Sequence, residues 1–361
     1  MKVIVIGAGL IGLLTARELA RAGCEVLVLD QSTPGRESSW AGGGILSPLY
    51  PWRYADAVNV LAAWGQQHYA QLAEELQEEG GIDPQWTKSG LIVLDGNGHE
   101  AAPFAEKFAM RMAVIDSRTV HQLESEIDVP TQHALYFPDI AQVRNPRLVK
   151  SLMTSCLNLG IDIRSNARVL ELVREGSRVT GIISNQGGQD ADCVVVAGGA
   201  WSGHLLQESA LELPVFPVKG QMILFRASPG LMTHIVLYQG HYLIPRRDGR
   251  ILAGSTLEQT GFDNTTTTEG YQQLHEFATD LCPGLLDCPV EGHWAGLRPG
   301  QQGDIPYICA VPDYDGLYLN TGHYRNGVVL GPASARLAAD LILAREPCCD
   351  PEPYSLNREE D

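Results

Sequence analysis

The stretch Gly7-Ala8-Gly9-Leu10-Ile11-Gly12 leaves this chain little freedom. Glycines spaced G-x-G-x-x-G bind a dinucleotide only when a strand precedes them and a helix follows. The flanks supply both. Lys2–Ile6 is a continuous apolar run, as a strand covered on both faces requires. Residues 10–22 keep helical spacing, with Leu13, Leu14, Ala16 and Leu19 apolar, and Gly23 ends the run. A second strand at 25–30 completes a βαβ unit. Asp30 closes it eighteen residues beyond the last glycine, near the ~20 expected. In such a unit Gly7 makes the tight turn and Gly9 lets a pyrophosphate approach the N–H groups opened by Leu10 and Ile11. Gly12 allows the helix to pack on the strand, and Asp30 accepts the ribose hydroxyls.

Charge narrows the partners. Lys and Arg number 26 against 43 Asp and Glu, a formal charge of −17. Nucleic-acid binders carry a basic face, so no nucleic-acid partner is expected. The same field opposes anions at long range. Any anion site must therefore be built locally, and the helix start after Gly9 is one such place. No apolar stretch reaches the ~20 residues of a membrane span, and no basic amphipathic helix stands out. No membrane contact, or weak association only, is expected. The apolar residues 1–14 read as buried structure, not as a targeting segment. Eight cysteines include no C-x-x-C pair. No metal site is expected, and reduced thiols suit the cytoplasm.

Further along, 38–48 is a loop of small residues. Residues 54–79 carry one helical stripe through Val58, Leu61, Ala62, Tyr69, Leu72 and Leu76. Strands are expected at 91–94 and 134–137, a helix at 146–159, and a hairpin at 167–173 and 179–184. Residues 193–197 make a buried strand closed by Gly198 and Gly199, where a backbone must approach something closely. Antiparallel strands follow at 215–226, 235–238, 242–245 and 250–253, then a helix at 269–281. A strand at 316–319 leads through a glycine-rich turn to a helix at 333–344. The tail after Pro347 is expected to cross the surface or fray. At ~150 residues per domain the 361 residues suggest two domains. The order of elements interleaves them. An α/β dinucleotide-binding domain takes 1–85, 145–214 and 300–361; an α+β domain with an antiparallel sheet takes 86–144 and 215–299.

Five more stretches carry a resemblance: residues 39–48, 197–202, 242–246, 294–299 (Trp-Ala-Gly-Leu-Arg-Pro) and 322–327 (Gly-His-Tyr-Arg-Asn-Gly). With the glycine loop they resemble the D-amino-acid oxidase family of flavoproteins, and within it members that oxidise glycine for thiamine synthesis. The resemblance covers nearly the whole chain, with weaker footing between Ile82 and Asp128. It implies FAD as cofactor and family members that are often homo-oligomers. It also implies that the loop Ala41, Gly42, Gly43 and Gly44 lies along the flavin, that Ser39 is cofactor-binding, and that Val169 meets the adenine side. Ala197, Gly198, Gly199 and Trp201 would border the cofactor. Gly322, His323, Arg325, Asn326, Gly327 and Val328 would line its ring. Some relatives attach flavin to a cysteine just after the Trp-Ala-Gly-Leu-Arg segment. Here Gly300 and Gln301 stand in that place and Cys309 lies further on, so FAD is expected to be non-covalent.

In this frame Arg298, in a turn before Pro299 and Gly300, would take a substrate carboxylate through two parallel hydrogen bonds. Tyr242 would give its hydroxyl to the same carboxylate, and Arg325 is a second cation for the substrate or its approach. Outside such a motif an arginine ordinarily ends in a salt bridge and a tyrosine in core packing. The implied reaction is oxidative deamination of glycine, sarcosine or D-alanine by hydride transfer to flavin N5. It gives an imine, then keto acid and ammonia, with oxygen reduced to hydrogen peroxide. Three alternatives stay open: a dehydrogenase passing electrons to a quinone or carrier, an RNA-modifying oxidase, and a flavin-carrying protein without catalysis.

Overall fold

The computed structural model describes residues 1–207 and 211–358. Two sheets organise them. The first has six strands in the order Tyr307–Ala310, Leu317–Thr321, Cys193–Val196, Lys2–Ile6, Glu25–Leu29 and Asp162–Arg164. All pairings are parallel except that of Tyr307–Ala310. Val3, Ile4 and Val5 are fully buried, as the unbroken apolar run requires of a strand with helices or sheet on both faces.

One face is covered by Leu10–Arg21, Asp56–Gly80, Asn145–Asn158 and Gly327–Ile342. The opposite face carries a three-stranded sheet, Val169–Glu175, Arg178–Ser184 and Gly187–Asp190. Arg17 is buried under Glu75 and Glu79 at 2.8 and 2.7 Å, tying the first helix to the long one. Gly65 lets the long helix meet the last: a Cβ there would stand 2.0 Å from the Val329 carbonyl oxygen.

The second sheet has eight strands: Val290–Gly300, Phe216–Arg226, Arg250–Gly254, His241–Pro245, Ile235–Tyr238, Leu91–Val93, His133–Phe137 and Ala113–Asp116. It is antiparallel except between Ile235–Tyr238 and Leu91–Val93. Thr268–Leu281 packs on one face.

Three expectations need correction. Arg298 lies in the strand Val290–Gly300, not in a turn; its Pro299 is tolerated because the strand is at the sheet edge. The last helix starts at Gly327, six residues before the expected 333. Pro332 inside it cannot bond the Val328 carbonyl, and the Tyr69 hydroxyl donates to that oxygen instead, at 3.0 Å. The small-residue loop opens with a short helix, Ser38–Ala41. Of the two courses expected of the tail, it crosses the surface and does not fray before residue 358: Tyr354 is buried and its hydroxyl donates to the Ala57 carbonyl at 2.8 Å. Its last three residues lie outside the described ones.

Candidate active site

At the end of the first strand Gly7 has φ 109°, and a Cβ would sit 2.4 Å from the Ala197 carbonyl oxygen. Only glycine fits that close approach. A Cβ on Gly12 would lie 1.9 Å from the Gly7 carbonyl oxygen, so this glycine serves helix packing. The helix that follows gets no cap from its own N-cap residue, Gly9, and has no acid in its first turn, which leaves the N–H groups beyond Leu10 for an anion. Leu10 N donates to Ser39 Oγ at 2.8 Å. Asp30 is fixed by Ala8 N and Ser32 N, each at 2.8 Å on a different carboxylate oxygen. Burial, and then the Asp30 charge, push the nearby Glu37 carboxyl above its usual range.

The middle of the site is a meeting of the two sheets. Ser39 to Gly44 are pinned from outside the first sheet's own strands. Trp294 Nε1 donates to the Ala41 carbonyl at 3.0 Å, Arg246 Nη2 to the Gly43 carbonyl at 2.7 Å, and Asn145 Nδ2 to the Ser39 carbonyl at 2.9 Å. Burial pushes Arg246 down to about 10, still charged at neutral pH. Opposite, Gly327–Ile342 presents a second helix start with neither a side-chain cap nor an acid in its first turn. His323, just before it, is buried. Burial pushes its imidazole down to about 3, and its Nε2 finds no hydrogen-bond partner among the described residues.

The far end holds Arg298. Its guanidinium lies against the backbone of the neighbouring strand, where a Cβ on Gly220 would come within 2.1 Å of Nη1 and Nη2. Nη2 donates to Ser255 Oγ at 2.7 Å and Nη1 to the Thr256 carbonyl at 3.3 Å. Burial lowers its pKa, partly offset by the Tyr242 phenol beside it, but a guanidinium stays protonated. Among the described residues no carboxylate pairs with this cation. Tyr242 is buried on its strand, its hydroxyl 3.4 Å from Met222 Sδ. Arg325 Nη2 donates to the Gly240 carbonyl over a long 3.3 Å.

One continuous cleft joins these three regions. It is lined by Gly7, Gly9, Leu10, Ile11, Asp30, Ser39, Ala41, Gly42, Gly43, Val169, Ala197, Gly198, Gly199, Trp201, His323, Arg325, Asn326, Gly327, Val328, Tyr242 and Arg298. Two expected residues are absent from its wall. Gly12 stands behind Gly7. Gly322, at φ 80°, backs onto Gln301, Tyr307 and Val215 and shapes the turn instead of the cleft. Sequence reasoning missed Arg36, Glu37, Arg168, Ser255 and Gly220, all on the wall. Gly220 carried a usable signal: a lone glycine inside a strand marks close approach. Ser255 carried none. Cys309 is buried in its strand, its thiol pushed up to about 11, and among the described residues no cysteine lines the cleft. Among the described residues no His, Cys, Asp or Glu cluster is arranged for a metal, and no helix is long and apolar enough to cross a membrane.

The family described as FAD dependent oxidoreductase matches residues 2–341. The chain belongs to that family. It is 48% identical to the glycine oxidase of Pseudomonas aeruginosa over 98% of each chain. It is 32% identical to the bifunctional protein ThiO/ThiG of Synechocystis, spanning 94% of this chain and 51% of that one. The crystal structure of glycine oxidase from Geobacillus kaustophilus superposes with a TM-score of 0.93 at 29% identity, covering 99% of both chains. FAD is the family's cofactor, and the cleft fits it. The Gly7 turn excludes any side chain, two helix starts with no acid in their first turns open into one cleft, and a buried imidazole nitrogen without a partner among the described residues borders it.

Proposed function

We propose that this protein is an FAD-dependent oxidase of glycine and other small amines and D-amino acids, among them sarcosine and D-alanine. One observation carries it. The cleft that begins at a dinucleotide loop ends at a buried guanidinium with no acidic partner among the described residues. An arginine so placed is costly without an anion, and a carboxylate is the anion its planar fork matches. The likeness to glycine oxidases supports the small substrate.

Gly7, Gly9, Leu10, Ile11 and Asp30 would hold the nucleotide end of FAD. Ala41 to Gly43, Ala197 to Gly199 and His323 to Val328 would hold its ring. Bound FAD supplies a two-electron acceptor. The chain's own residues capture and orient. Arg298, with the Tyr242 hydroxyl, takes the substrate carboxylate, which fixes where the Cα–H points. Arg298 and Arg325 together oppose a second positive charge, so they favour the neutral amine that oxidation requires. The imine leaves and hydrolyses to a 2-oxo acid and ammonia, or methylamine where sarcosine is the substrate, and oxygen is reduced to peroxide.

Non-covalent FAD is part of the proposal, supported by the absence of a cysteine from the cleft wall among the described residues. So is the division into a cofactor domain (1–85, 145–214, 300–361) and a substrate domain (86–144, 215–299), supported by the membership of the two large sheets. Cytoplasmic residence fits eight free thiols. A homo-oligomer and a supply of imine for thiamine thiazole synthesis extend the proposal, the second supported by the likeness to ThiO/ThiG. The test is anaerobic addition of glycine, sarcosine and D-alanine to the holoprotein. Bleaching of the visible flavin band is expected; none with any of the three refutes the substrate class. Peroxide released in air, matched to substrate consumed, separates an oxidase from a dehydrogenase that reduces dyes alone.

A further inference from the structure

Arg298 does not fix its own direction. Besides the Tyr242 phenol, its hydrogen-bond partners Ser255 Oγ and the Thr256 carbonyl stand in the segment after Arg250–Gly254. Backbone ties that segment to Phe216–Arg226 at the isolated bridge between Lys219 and Glu258 and, at 3.4 Å, from Thr256 N to the Gln221 carbonyl. Side chains do the rest. Thr256 Oγ1 accepts from Gln221 N at 2.8 Å and donates to Glu258 Oε1 at 2.5 Å. The same Glu258 oxygen accepts from Gln221 Nε2 at 2.7 Å, while Lys219 Nζ pairs with the other carboxylate oxygen at 2.9 Å.

Gln221 is wholly buried and fully satisfied. Nε2 gives its second proton to Thr267 Oγ1, and Oε1 accepts from Thr267 N and His293 Nε2, all three at 2.9 Å. A Cβ on Gly270 would come within 2.3 Å of Nε2, so the start of Thr268–Leu281 closes over this amide. Lys219 is only 1% exposed. Burial alone would raise the Glu258 pKa, but bonds from Thr256, Lys219 and Gln221 hold it below the usual range. The strand thus alternates: Gly220 makes room for the guanidinium on one face, and Lys219 and Gln221 grip its supporting segment on the other.

We infer that Lys219, Gln221 and Glu258 are positioning residues that act through Thr256 to set the direction of the Arg298 guanidinium. The inference rests on Arg298 as carboxylate anchor. A buried network in which every member is bonded holds one geometry, and a bidentate pair needs one geometry.

Thr256→Val removes Oγ1 at nearly constant volume, and Thr256→Ser keeps it. The holoenzyme and both variants are titrated with acetate, which has the carboxylate but no amine to oxidise, following the flavin spectrum. Glycine kinetics and melting run alongside. Thr256→Val is expected to weaken acetate and raise KM by about tenfold, the size of one lost hydrogen bond to a charge, with a smaller change in kcat. Thr256→Ser restores both, and Glu258→Gln shifts them in the same direction as valine. Acetate binding by Thr256→Val equal to the parent overturns the inference, as does a serine variant no better than valine. A fall in melting temperature with no change in KM also overturns it. A parent that neither binds acetate nor is bleached by glycine sinks the anchor itself and the inference with it; a binding parent with indifferent variants sinks the inference alone.

Discussion

Replacing Gly220 with alanine exchanges one hydrogen for a methyl group, and the new carbon lands on the anchor. The new Cβ would lie 2.1 Å from both terminal nitrogens of Arg298 and 2.3 Å from Cζ. Ordinary contact begins near 3.4–3.5 Å, so the guanidinium must retreat by about 1.3 Å. The obstacle is the far end of a flexible side chain, not backbone, so the fold should absorb the change cheaply. The ligand should not. A retreat of that size breaks at least one of the two parallel hydrogen bonds to a carboxylate, and a charge-assisted bond contributes ~1.5–3 kcal/mol. That converts to a rise of about 10- to 150-fold in the KM for glycine. Steady-state kinetics at saturating oxygen reads it directly, with a melting curve and flavin content as controls. An unchanged KM in a protein of parental stability would refute the placement of the carboxylate on Arg298. A collapse of stability with normal KM would show that the strand, and not the anchor, needs the glycine.

Gly12→Ala should act on the scaffold. Its Cβ meets the Gly7 carbonyl at 1.9 Å, backbone against backbone, so several degrees of melting temperature and most bound flavin should be lost; retention of both would contradict the packing. His323 has a folded pKa of about 3, well below the ordinary 6.5, so the unfolded chain binds its proton first as pH falls. Its contribution to stability is complete above about pH 6.5 and drains away toward pH 3. His323→Asn should therefore flatten the fall in melting temperature between neutral and acid pH, and an identical slope would count against a buried neutral imidazole. Cys349 is half-buried, and the neighbouring Cys348 thiol pulls its own thiol below the usual range against the opposing effect of burial. Iodoacetamide at neutral pH should label it ahead of Cys156 and Cys193, whose thiols burial pushes up to about 12. Mass spectrometry showing equal rates would disprove this.

What could be read in advance follows from how local each signal is. Lys2–Ile6, the glycine loop and Asp30 lie within one short unit, and every piece of that unit is visible in consecutive residues. Arg298 and Tyr242 were legible because the segments around them carry a family pattern, not because spacing brings them together. Ser255 and Thr256 gave no sign, since their importance arises only when the strand Val290–Gly300 pairs with Phe216–Arg226 and lays Arg298 across Gly220. Pro332 hid the true start of the last helix, because the hydroxyl that replaces its missing bond comes from Tyr69, far away in the chain. Between 82 and 128 the helices Gly98–Lys107 and Ser117–Leu123 and the strand Ala113–Asp116 went unread. Proline interrupts the first helix, the second is short, and the strand is mostly exposed, so none shows a clear period.

The order of strands in the six-stranded sheet has a further consequence for how the molecule is made. Lys2–Ile6 pairs with Cys193–Val196, and that strand pairs with Leu317–Thr321. Asn320 then bonds Thr15 Oγ1 at 2.9 Å, across nearly the whole chain. Residues 2–6 must wait for residues 317–321 before their sheet is finished. Non-local pairing of this kind slows folding, because loop closure costs entropy before any contact returns it. The nucleotide loop, complete in sequence by residue 30, acquires its second wall only when Ala197 arrives and its helix-start counterpart only after Asn326. A chain stopped short of that point carries the motif without the cleft.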